Sequence, residues 1–186
     1  MNTRDLTLSA LFAAIIVVLG IVPPITLGFI PVPITLQSFG VMLAGCIIGA
    51  KRGALAYIIF VAMVAVGLPV LAGGRGGLAI LMGPTGGYIV GWIFAAFVTG
   101  WLAERLVRDN QREWQQLGGL FLASVLGGII VLYAFGMTWV TIAAGTPFSA
   151  VLIGSLAFIP GDLLKAAIAA LAARAVLAGY PLLSRA

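Results

Sequence analysis

The chain has 186 residues, of which 62% are hydrophobic and only 8% charged, and its mean hydropathy is +1.21. No soluble domain of this size can hide that much apolar surface, so the composition specifies an integral membrane protein, and its long apolar runs select helices over a barrel. The net charge of +5 sits in short basic clusters that read as topology signals rather than a nucleic-acid surface, while the absence of histidine and the single cysteine, Cys46, exclude an intrachain disulfide and any His/Cys metal site.

A bilayer core about 30 Å thick takes roughly 20 apolar residues per helix, which leaves room for about six spans and no separate soluble domain. The expected fold is all-α, a six-helix transmembrane bundle forming one domain over residues 1–186. The first helix runs roughly from Leu6 to Val22, with Thr3 or Asp5 as cap, and reads as a retained span rather than a removed signal peptide. Ala10 and Ala14 give it the small-xxx-small spacing that lets another membrane helix approach, although alanine is also common in such helices for no special reason. Pro23-Pro24 ends this helix, and Pro31 and Pro33 make the following segment a stiff loop held against the protein.

The second helix covers roughly Thr35 to Ala50 and opens with Gln37, which is either an interfacial residue or a donor–acceptor pair for a ligand. After the basic turn Lys51-Arg52, a third helix runs from Gly53 to Val66. Two glycine clusters follow, one from Gly67 to Gly77 that includes Arg75, and Gly83-Pro84-Thr85-Gly86-Gly87-Tyr88. Neither ends in the Gly-Lys-Ser/Thr of a phosphate loop; they are either tight turns packed on the helices or places where the backbone meets a ligand.

The fourth helix, Tyr88 to Leu106, leaves the membrane into a charged run of Glu104, Arg105, Arg108, Asp109, Arg112 and Glu113, which reads as a solvated loop. The fifth spans Leu117 to Trp139. A short apolar helix from Phe148 to Phe158 leads to Pro160-Gly161, where a helix breaks or starts, and the sixth runs from Asp162 to about Leu177.

Asp162 and Lys165 carry the chemistry of the chain. They are one of five acids and one of two lysines, placed inside a nearly unbroken apolar run. An ionised side chain at the centre of a bilayer helix costs roughly 2.5–3.5 kcal/mol on insertion scales. Spacing i, i+3 puts both on one helix face. They form either an ion pair that fixes helix packing or a polar ligand site at membrane depth.

With six spans, Arg4, Lys51-Arg52, Arg105/Arg108/Arg112 and Arg174/Arg185 fall on one side, expected to be cytoplasmic with both termini. The proline-rich loop, the glycine clusters, the Thr146 turn and Asp162 then gather at the outer end. An outward cavity there would hold Asp162, Lys165, Gln37, Thr85, Tyr88 and Arg75 among apolar walls, suiting a small ligand with an apolar body and a few polar groups. Enzyme chemistry finds no support, because no Ser–His, Cys–His or paired-carboxylate arrangement is present. No nucleotide-binding motif and no cofactor is implied, so uphill movement of a solute needs partner proteins or an ion gradient.

Four stretches together resemble the BioY family, the biotin-specific substrate-binding (S) component of energy-coupling-factor (ECF) transporters. They are Pro31-Val32-Pro33-Ile34-Thr35-Leu36-Gln37, Gly67-Leu68-Pro69-Val70, Gly83-Pro84-Thr85-Gly86-Gly87-Tyr88 and Ile159-Pro160-Gly161-Asp162-Leu163-Leu164-Lys165. The resemblance implies a multi-pass protein of a bacterial or archaeal plasma membrane. It implies capture of biotin from outside, with a transmembrane coupling protein and two cytosolic ATPases as partners. It further implies that Asp162 and Lys165 serve the ureido ring, with Gln37, Thr85 and Tyr88 beside them, Arg75 near the biotin carboxylate, and Ala10 and Ala14 as the coupling-protein contact. The other expectations to weigh are an S component for a different vitamin, such as thiamine or riboflavin, and a membrane scaffold without a ligand.

Overall fold

The computed structural model describes residues 2–28, 31–108, 110–180 and 182–183. Asp109 and Arg185 lie outside the described residues.

Helix α1 (Thr3–Leu19) begins earlier than the apolar pattern suggests, because the cap is Asn2. Its side chain accepts the Asp5 N–H at 2.9 Å, and Asp5 returns the bond by accepting the Asn2 N–H at 2.9 Å, a reciprocal capping box. Helix α2 (Gln37–Ala65) carries a reversal at Gly49, whose φ of 81° and ψ of −177° suit glycine and break the helix into two arms. The arms fold back on each other: the Tyr57 hydroxyl of the second donates to the carbonyl of Gln37 at the start of the first, at 2.8 Å. They are the expected second and third helices.

The reversal frees backbone N–H groups, and a distant side chain answers one of them. Glu104, near the end of α4 (Gly86–Leu106), accepts the Ala50 N–H at 3.0 Å. Glu104 is therefore not part of a solvated loop but an N-terminal cap supplied from another helix. Between the arms and α4 the glycine-rich stretch contains a short helix, α3 (Leu78–Met82), which the composition does not announce.

Helices α5 (Glu113–Val125) and α6 (Leu132–Ala144) are joined by a π-helical stretch, Leu126–Val131, into one apolar rod. Likewise α7 (Phe148–Ser155) runs through a short 3-10 stretch, Leu156–Phe158, into α8 (Ile159–Gly179). Pro160 sits in the first turn of α8, where its missing N–H costs no hydrogen bond. The Pro-Gly pair thus starts a helix without separating it from the one before, and Asp162 falls in the first turn as the sequence predicts. With the two arms of α2 counted separately and each rod once, the bundle has six membrane-spanning units among the described residues, the expected all-α fold.

The core is apolar and tightly crossed. Tyr57, Phe60 and Trp92 form an aromatic cluster with centroids 5.9–6.2 Å apart between α2 and α4. The molecule has two unlike ends. At one, Asp5 meets Arg52 at 2.7 Å, Arg52 donates to the Leu182 carbonyl, and Arg174 reaches Glu113, so both terminal segments and the basic turns cluster together. The first turn of α8 and the start of α4 lie at the other.

Candidate functional site

The six candidate side chains, Asp162, Lys165, Gln37, Thr85, Tyr88 and Arg75, all line one cleft at the end away from the basic turns. The apolar wall is supplied by Val32, Ile34, Leu71, Trp92, Leu132 and Phe158, and the cavity volume is about 60 Å³.

At its floor lies a connected polar group. Asp162 Oδ1 accepts from Lys165 Nζ at 2.9 Å, and Oδ2 accepts from the Tyr133 hydroxyl at 2.7 Å. Lys165 also donates to the Thr35 carbonyl and to Ser38 Oγ, each at 3.0 Å. All three ammonium protons therefore have an acceptor. The carboxylate is different: it offers about four lone-pair sites and, among the described residues, uses two, so two remain for N–H donors in the cleft. Lysine is saturated and holds the acid; the acid has capacity left.

Tyr133 is the residue that sequence reasoning misses. It stands on α6 directly after the π-helical stretch and meets Tyr88 of α4 edge-on, with ring centroids 6.3 Å apart. One clue existed: it is one of only four tyrosines, and a tyrosine in an apolar span needs a partner for its hydroxyl. Which partner was not legible, because 29 residues separate it from Asp162.

The remaining candidates take distinct places. Thr85 precedes α4 and does not use its hydroxyl to cap it, which leaves that group for the cleft. Arg75 donates through Nε to the Ala72 carbonyl at 3.1 Å, and no carboxylate pairs with its guanidinium among the described residues. With Asp162 and Lys165 cancelling, Arg75 gives the cleft one net positive charge. Gln37 lines the cleft but is fully buried, and among the described residues its amide bonds only to backbone: Nε2 to the carbonyls of Ile16 and Val70, Oε1 to the Ala72 N–H. Ala10 and Ala14 are exposed on the outer face of α1, away from the bundle.

Comparison with known proteins points one way. The family model described as the BioY family matches residues 1–182. The chain is 62% identical over 183 residues to a protein named biotin transporter BioY from Rhizobium etli, covering 98% of each, and 51% identical over 182 residues to one of the same name from Rhodobacter capsulatus, covering 93% of each. Among solved structures it is similar to the S-component for biotin from an ECF-type ABC transporter, with a TM-score of 0.86, 37% identity, and coverage of 95% of this chain and 94% of that one.

Proposed function

The chain belongs to the BioY family, and from that membership we propose that the cleft around Asp162 is its biotin site. The protein is a biotin S component of an ECF-type transporter: a multi-pass membrane protein, not an enzyme, that works with a transmembrane coupling protein and two cytosolic ATPases. The observation that carries the site assignment is the asymmetry of the polar group: a lysine with every proton used, holding a carboxylate with two acceptor sites open. Those sites suit the two N–H donors of a ureido ring. Binding is then the gain of charge-assisted hydrogen bonds by an acid whose orientation is already fixed by Lys165 and Tyr133.

The charge of the cleft speaks to which vitamin. A neutral ion pair with one extra guanidinium, Arg75, favours a monoanion with a neutral polar head, which describes biotin. It disfavours thiamine, a cation. The ureido head sits against Asp162, and the aliphatic tail then runs along the apolar wall towards Arg75. Thr85 and Tyr88 border the head, and Gln37 serves as wall. By the positive-inside rule the basic end is cytoplasmic and the cleft opens outward.

Equilibrium binding of biotin to the purified protein tests this, with thiamine and riboflavin as competitors. Saturable biotin binding that neither competitor displaces is expected; equal affinity in Asp162→Asn and Lys165→Ala variants removes the site. For the partner face, Ala10→Trp places an indole on the small-residue stripe of α1. Loss of co-purification with the coupling protein, with biotin binding intact, is the expected result, and normal assembly refutes the contact.

A further inference from the structure

Gln37 opens the first arm of α2 and is completely buried. Its Nε2 donates to the Ile16 carbonyl of α1 at 3.2 Å and to the Val70 carbonyl at 3.0 Å, while its Oε1 accepts from the Ala72 N–H at 3.0 Å. The direction of the amide is forced, since two carbonyls can meet only the NH2 group and a backbone N–H only the oxygen. The carbonyl of Val70 and the N–H of Ala72 flank Leu71, so the amide holds this segment as a neighbouring strand would. Leu71 lines the cleft, and its backbone pairs in both directions with Arg75, at 3.0 and 3.3 Å. One side chain thus ties together the last turns of α1, the start of α2 and the loop that brings Leu71 and Arg75 to the ligand. The fit is close: a Cβ on Gly20, just past α1, would lie 2.6 Å from the Val70 carbonyl oxygen and 2.7 Å from Gln37 Nε2.

We propose that Gln37 is the joint through which the position of α1 sets the position of Leu71 and Arg75, so that docking of the coupling protein on α1 alters how tightly the cleft holds its ligand. This rests on the biotin reading and on the α1 contact face. α1 exposes Ala10 and Ala14 on its outer side and delivers Ile16 to the joint on its inner side. A displacement of α1 against the bundle is carried to the loop because the Gln37 side chain is fully buried, and breaking its bonds leaves the buried Ala72 N–H without its acceptor. Gln37 acts here as a positioning residue, not as a ligand group.

The test is a ratio measured within each variant. Biotin affinity is determined for the full chain alone and for the same chain assembled with its coupling protein and ATPases, and the ratio of the two is the coupling factor. Couplings of this kind typically amount to roughly 5–150-fold, and biotin must change the affinity of assembly by the same factor. A wild-type factor in that range that falls towards one in Gln37→Leu is expected. A loss of affinity from a lost contact, common to the free and the assembled chain, cancels in the ratio, and each affinity is referred to the folded fraction. Gly20→Ala approaches the joint from α1 without lining the cleft, and a reduced factor is expected there too; it carries the test if Gln37→Leu does not fold. A wild-type factor of one, or an unchanged factor in the variants, overturns the inference while leaving the biotin site standing. Absence of biotin binding by the wild-type chain overturns the functional reading and this inference with it.

Discussion

Lys165 and Asp162 on α8 meet at 2.9 Å with side chains 13% and 9% exposed, whereas Arg174, further along the same helix, meets Glu113 at 3.5 Å with the glutamate 72% exposed. The chemistry of the two pairs is alike, a base on α8 and a carboxylate. Their surroundings decide what each is worth. An exposed pair gains modest Coulomb energy in a high dielectric and holds long side chains in one geometry at an entropic cost, for a net of about 0–1 kcal/mol. The buried pair has no water to fall back on, so each partner depends on the other and on Tyr133, Thr35 and Ser38. The basic end therefore records topology, while the pocket end records a constraint that only a function or a packing need would maintain.

The contrast can be broken most forcefully at Asp162. Asp162→Asn keeps the shape, removes the charge and leaves Lys165 buried without its counter-ion. It also weakens the charge-assisted hydrogen bonds that the carboxylate offers the ureido N–H groups, and a hydrogen bond to a charged group is worth about 1.5–3 kcal/mol, so biotin affinity is expected to fall by at least roughly 10-fold in calorimetric titration. Tyr133→Phe is milder. It deletes one hydrogen bond to a charged group, for about 1.5–3 kcal/mol, and leaves the ring against Tyr88. A lowered melting temperature and a fall in biotin affinity smaller than that of Asp162→Asn are expected; an affinity equal to wild type would show that the hydroxyl does not orient the acid. Glu113→Gln, at the other end, should change neither binding nor melting temperature measurably, consistent with about 0–1 kcal/mol for such a pair. A large effect there would mean that the two ends are not as different as their exposure implies.

The six-span count, the polar couple and its place in a first turn were legible because each rests on local rules: apolar run length, i, i+3 spacing and the behaviour of proline at a helix start. Gln37 illustrates the limit. Its presence at a helix start was plain, but the direction of its amide depends on carbonyls 21 and 33 residues away. Glu104 illustrates it again: it opens a charged run, and only the approach of α4 to the Gly49 reversal turns it into a cap.

The amino-acid order alone determined the class of protein, its helices and the identity of the two charges buried among them, since these follow from hydropathy and from spacing along one helix. Tertiary structure alone decided which way each helix faces. In a span that is apolar all round, no polar stripe marks a solvent side, and rotation about the axis is set by packing against neighbours. That rotation is what brings Tyr133 to Asp162 and turns Gln37 towards the backbone of α1 and the pocket loop.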